Sequence, residues 1–198
     1  APAEYAAPIA YVATQDGNQD IYIAAQDGSW VRRVTHAPEI DRFPRCSRDG
    51  RRVAFVRGAH GEGEIYVIDL QTGAETRLTT NDTEDYTPSW SPAGDRLVFT
   101  RTVDGRDRLA IVDMATGEVR DVADHEPRDV MASFSPDGES LVFHSYRDGE
   151  GNVEIYARHL ATGEETRITN HPGRDYEASY APDGARVVFS SNRGGAPW

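Results

Sequence analysis

Asp85-Tyr86-Thr87-Pro88-Ser89-Trp90-Ser91-Pro92-Ala93-Gly94-Asp95-Arg96-Leu97-Val98-Phe99 sets the frame for the whole chain. An Asp leads, Pro follows three residues on, then an aromatic, Ser-Pro, a glycine turn and a hydrophobic run. The frame recurs at Asp41…Pro44…Cys46-Ser47…Asp49-Gly50…Val53-Ala54-Phe55, at Asp129…Phe134-Ser135-Pro136-Asp137-Gly138…Leu141-Val142-Phe143, and at Asp175…Tyr180-Ala181-Pro182-Asp183-Gly184…Val187-Val188-Phe189. The leading Asp steps from 41 to 85, 129 and 175, advancing 44, 44 and 46 residues. A fixed period of that size marks an architecture of stacked modules.

Within each period the second run, as in Glu64-Ile65-Tyr66-Val67-Ile68-Asp69, follows a glycine-rich connection. A Thr-Gly turn then leads into a polar alternating segment such as Glu75-Thr76-Arg77-Leu78-Thr79. This reads as four short strands joined by hairpin turns. The middle strands are apolar on both faces, as in a sheet covered by neighbours. The last strand alternates, as at an edge touching water. The expected fold is all-β, a β-propeller of four-stranded antiparallel blades. Whole blades are expected at 41–80, 85–124 and 129–170, with partial blades at 8–36 and 175–198. The first lacks its innermost strand and the last carries only two strands. That inventory suggests a portion of a longer propeller or a compact ring, with self-association through open edges.

The 198 residues, 38% of them hydrophobic, suffice for one ordinary domain. A net charge of −12 argues against nucleic acid as a partner, because that needs a basic footprint. All 21 cations are arginine, which fits genomic bias and a salt-adapted surface alike. Cys46 stands where other repeats place Trp90, Phe134 and Tyr180, so it reads as an apolar filler. No apolar run is long enough for membrane insertion.

The ordered elements Asp-x-x-Pro-x-Trp-Ser-Pro-x-Gly, Ile-Tyr-Val-Ile-Asp and Arg-Leu-Thr resemble the repeats of the TolB-like β-propeller family. The closing Ser190-Ser191-Asn192-Arg193-Gly194-Gly195 is similar to that family's link between second and third strands. The resemblance runs from about Ile9 onward; Cys46, Arg48, Ala132, Ala178 and Ala181 depart from it. It implies one of two roles. The first is a non-catalytic, periplasmic or secreted platform for protein interaction. The second is a substrate-gating propeller of a larger serine peptidase of the prolyl-oligopeptidase class, or of a polysaccharide-active enzyme.

No Gly-x-Ser-x-Gly elbow, zinc motif or phosphate loop appears, so no catalytic residue and no cofactor is expected. Asp41, Asp85, Asp129 and Asp175 lead each innermost strand near one channel mouth. Their regular recurrence favours a structural role, accepting backbone N–H bonds, over a carboxylate ring for a cation or basic partner. Asp16, Asn18 and Asp20, and likewise Asp148, Glu150, Asn152 and Glu154, space oxygens as a calcium loop begins. The glycine and distal glutamate that complete such a loop are missing, so no metal is expected. Alternating strand direction places Tyr86, Arg128, Arg174 and Tyr176 on one face with His36, His60, His125 and His171. That loop face is the expected contact surface for a protein partner.

Overall fold

A computed structural model describes residues 8–123 and 128–194. His125 and the last four residues, with the blade limits at 124 and 198, lie outside the described residues. The described chain is all-β, with antiparallel strands in five sheets. The first sheet holds β1 (Ile9–Gln15), β2 (Asn18–Ala24) and β3 (Val31–Arg33). The second is β4 (Asp41–Cys46), β5 (Arg52–Arg57), β6 (Glu64–Asp69) and β7 (Glu75–Arg77). The third is β8 (Asp85–Trp90), β9 (Arg96–Val103), β10 (Arg106–Asp113) and β11 (Val119–Asp121). The fourth is β12 (Asp129–Phe134), β13 (Ser140–Ser145), β14 (Glu154–His159) and β15 (Glu165–Arg167). The fifth is β16 (Asp175–Tyr180) with β17 (Val187–Ser191). Strands within each sheet follow chain order, so each sheet is a meander, and the Asp-Gly and Ala-Gly turns close its first hairpin.

The sheets pack face to face because their middle strands are apolar on both sides. Ala54, Val56, Ile65 and Val67 of the second blade meet Trp90, Leu97, Phe99, Ala110 and Val112 of the third. Val98, Leu109 and Ile111 then meet Leu141, Phe143 and Tyr156 of the fourth. Phe55, Phe99 and Phe143 are fully buried in equivalent places, as the repeat requires. Phe189 is only half-buried, because among the described residues its sheet has just two strands. On the far face of that sheet Val188 is 68% exposed, whereas its counterparts Val98 and Val142 are fully buried.

A polar clamp accompanies this packing. Arg52 donates through Nη2 to the Gly94 carbonyl (2.8 Å), one blade on, and Arg96 does the same to Gly138 (3.1 Å). Their guanidiniums also lie over rings of that next blade, 4.6 Å from the Trp90 centroid and 5.2 Å from that of Phe134. Gly94 suits this place by its backbone, and a side chain there would displace the clamp arginine. Its φ is +69°, and a Cβ there would come within 2.7 Å of Arg52 Nη2.

Each complete innermost strand carries a β-bulge two residues after its leading Asp, where pairing with the second strand slips. Phe43, Thr87, Met131 and Glu177 occupy these bulges with φ between 51° and 54°. None is glycine, and a left-handed conformation costs an L-residue roughly 1–2 kcal/mol. Glu177 is exposed, so its side chain offsets little of that cost. Glu177→Gly is expected to leave stability unchanged or raise it by about 0.5 kcal/mol. Glu177→Val should lower it by about 1 kcal/mol or more, since a β-branched residue fits that region worst. Paired urea melts of the two variants check the contrast.

Candidate functional site

The four leading aspartates meet arginine rather than backbone N–H groups. Each is buried and is gripped by a guanidinium from the far end of its own second strand (Arg57, Arg101) or from two residues beyond it (Arg147, Arg193). Arg57 bonds both oxygens of Asp41 (2.8 and 2.9 Å), and Arg101 both oxygens of Asp85 (2.8 and 2.8 Å). Arg147 Nη2 reaches both oxygens of Asp129 (3.0 and 2.8 Å), and Arg193 Nη2 bonds Asp175 at 2.6 Å. Bidentate pairing suits the planar fork of arginine and not the point charge of lysine. The Asp85 bonds, helped by the Asp85 charge, hold the Arg101 guanidinium above its ordinary pKa although burial opposes this.

A second carboxylate opens the third strand. Glu64 accepts from Thr79 Oγ1, Arg77 (3.1 Å) and the Asn81 backbone N–H (2.7 Å). Glu154 repeats this with Thr169 (2.5 Å), Arg167 (2.9 Å) and the His171 N–H (2.7 Å). Asp20 pairs with Arg33 at 2.6 Å. The third blade reverses the charges, with Arg108 on the third strand donating to Asp121 on the fourth (3.1 Å). Of the residues spaced like calcium loops, Asp20 and Glu154 take part in these pairs, and Asp148 accepts from Tyr156 Oη (2.6 Å) and lies 3.5 Å from Arg167.

With these acids turned inward, the loop face is left to aromatic and guanidinium groups. Tyr86 is half-buried, and its phenol is pushed well above the ordinary range by burial and by the Asp107 carboxylate it bonds. Asp107 also accepts from Thr102 Oγ1 (2.9 Å) and Arg128 Nε (3.4 Å). Arg128 extends to Glu150 (2.5 Å) and lies 4.5 Å over the Tyr146 ring. Tyr146 and Tyr176 follow at 6.5 Å between centroids. Of the eight residues expected at this face, Tyr86, Arg128 and Tyr176 join one continuous seam across the third, fourth and fifth sheets. Arg174 is exposed beside it, its backbone N–H donating to Asn192 Oδ1 (2.7 Å). The four aspartates lie beneath, in their arginine pairs. Tyr146 and Asp107 were not expected from sequence; a tyrosine one residue before Arg147 was the available signal. Elsewhere on this face His60 Nδ1 lies 3.1 Å from Glu84, and His171 Nδ1 accepts the Gly173 N–H (2.9 Å).

The innermost strands also enclose a cavity of about 340 Å³ along the propeller axis. Phe43, Arg45, Ser89, Met131, Ser133 and Glu177 contribute to its wall, which therefore carries apolar, hydroxyl and charged groups.

The sequence profile described as the TolB beta propeller domain matches residues 3–153 and 132–198. No curated protein matches the chain in sequence. The solved structure of TolB from Acinetobacter baumannii superposes with a TM-score of 0.81 at 25% identity, covering 95% of this chain and 48% of that one. A putative TolB from Agrobacterium tumefaciens gives 0.78 at 24% identity, covering 92% of this chain and 65% of that one. A prolyl endopeptidase shares the fold at 0.68 and 16% identity, with 96% of this chain against 32% of the peptidase. The chain therefore spans about half to two-thirds of the TolB structures it resembles. Five antiparallel sheets built on one repeated frame, and a profile match over almost every residue, place the chain in the TolB beta propeller family.

Proposed function

We propose that the chain is a non-catalytic scaffold that engages a protein partner through its loop face, in an exported, periplasmic or secreted setting. The observation that carries this reading is the seam of Tyr86, Arg128, Tyr146 and Tyr176. Tyrosine and arginine supply large contact area with a polar tip, the composition favoured at the centres of protein interfaces. They are held by neighbouring sheets, so the surface is preorganised and costs little ordering on binding. The likeness to TolB structures supports the same reading, and so does the all-β architecture, which offers loops at one end of rigidly packed sheets.

The rival reading, a substrate-gating propeller of a larger hydrolase, draws on the axial cavity and on the fold shared with prolyl endopeptidase. Site-specific photocrosslinking in the producing cell separates the two. A crosslinker at Arg174, on the loop face, should capture a discrete protein partner, and one at Ser179, inside the cavity, should not. Capture at Ser179 alone would overturn the scaffold reading.

A further inference from the structure

The seam between the fourth sheet and β16–β17 contains a histidine at a place where the second and third blades carry valine and threonine. His144 lies on β13, opposite Val130 of β12 and Ile155 of β14, at the position held by Val56 in the second blade and Thr100 in the third. It is 2% exposed. Thr100 satisfies its slot, meeting Thr87 Oγ1 at 3.0 Å and accepting the Met131 backbone N–H of the next blade at 3.1 Å. His144 has no such arrangement: its Nδ1 is buried and has no hydrogen-bond partner. Its ring instead meets Tyr176 of β16 edge-on, 5.2 Å between centroids, and Tyr146 at 5.8 Å.

We propose that His144 is an acid-operated latch, which in its neutral form seats the β16–β17 sheet on the fourth blade and on gaining a proton releases it. Native structures rarely leave a buried ring nitrogen unpaired, and such groups call for an explanation. The surroundings offer the imidazolium no counter-charge. On β12 the nearest acid is Asp129, closed onto Arg147; on β14 it is Glu154, closed onto Arg167 and Thr169. On β16 Asp175 is held by Arg193 through Oδ2, with its Oδ1 buried and unbonded, while Glu177 lines the axial cavity. Among the cations, Arg128 stacks over Tyr146, while Arg147 and Arg193 are taken up by Asp129 and Asp175. Burial alone pushes the imidazole down to about 4 from 6.5.

The sign follows from that depression. A histidine whose folded pKa lies below its unfolded value is fully accommodated above pH 6.5. The seated state then loses ground as pH falls toward 4, because the open state binds the proton more tightly. Release would bare Val142 and Ile155, the apolar face that Ala178 and Val187 now cover.

Hydrogen exchange of the 198-residue chain, read as protection of residues 175–191 against 85–113, tests the latch. Between pH 7 and pH 5 the opening equilibrium of the final sheet should rise about twentyfold, from pKa values of 6.5 and about 4. Strands β8–β10 should show no comparable change. His144→Val, which restores the residue of the second blade, should flatten the pH dependence to about twofold or less. His144→Thr, matching the third blade, should do likewise. The proposal is overturned if β16–β17 is no more acid-sensitive than β8–β10, or if either variant keeps the wild-type dependence. An NMR titration of the wild-type ring stands apart from the variants: a midpoint well below 6.5 is expected, and one at 6.5 overturns the latch.

Discussion

Arg101→Met is expected to lower the unfolding free energy by about 3–5 kcal/mol, the cost of leaving one partner of a buried ion pair alone. The side chain of Asp85 is fully buried, and besides Arg101 it accepts only from Asn81 Nδ2, at 2.8 Å, among the hydrogen bonds of the described residues. Its charge has nowhere else to go. Removing the acid instead, as Asp85→Asn, sets an amide against the guanidinium. That should cost about 2–3 kcal/mol, above the ~1 kcal/mol that a backbone-only role implies. The double replacement Asp85→Leu with Arg101→Met should recover much of the loss, because neither charge is then stranded. Urea melts of the three variants give the answer. A loss below about 1 kcal/mol for Arg101→Met would mean that the pair behaves like one on the surface. Calcium should not raise the melting temperature, since the carboxylate oxygens are already taken.

Phe99→Ala carries the other large effect. Its ring is fully buried between the second and third blades, among Ala54, Val56, Ile65 and Leu97, and its loss leaves a cavity that those β-sheet neighbours cannot collapse to fill. The expected cost is about 3–5 kcal/mol. Phe189→Ala, at the equivalent place in the half-covered final sheet, should cost only about 1–2 kcal/mol, since less apolar area returns to water. Denaturant unfolding with unchanged m-values would establish both figures. Equal losses at the two sites would contradict the incomplete covering of the fifth sheet.

The strands were readable because two independent signals agree in each blade: a run apolar on both faces, and a turn whose Asp-Gly or Thr-Gly fixes where it ends. The leading aspartates and Tyr86, Arg128 and Tyr176 were readable as occupants of one face, since strand direction alone places them. The partners of those aspartates were not. Arg57 and Arg101 lie 16 residues after their acids, whereas Arg147 and Arg193 lie 18 after theirs. In the latter two a serine holds the strand position and bonds the arginine Nε, Ser145 at 2.8 Å and Ser191 at 2.9 Å. The guanidinium reaches the same place from a different point in the chain, so a search at fixed period passes over it.

The bulges were hidden for another reason. Phe43, Thr87, Met131 and Glu177 share no side-chain chemistry and none is glycine, so nothing in their identity announces a left-handed backbone. The conformation is imposed by the pairing on either side. His144 was masked by the hydrophobic run Leu141-Val142-Phe143 that leads into it, and only the packing of the next sheet shows what it faces.

The arginine-to-glycine clamp points toward the next blade at two successive blades, and Ser140 stands at the arginine's place in the fourth. Arg52 reaches Gly94 and Arg96 reaches Gly138, each across 42 residues. Suppose recombination between repeated segments of the gene removed or duplicated one whole unit. Every surviving arginine would still find a glycine carbonyl ahead of it, and every apolar front a matching back. Mismatches would fall at the third blade, whose Arg108 and Asp121 reverse the charge order of its neighbours, and at the fourth, where Ser140 replaces the clamp arginine. Blade number is then a quantity that heredity can alter by counting, while the third blade keeps a marked place in the order.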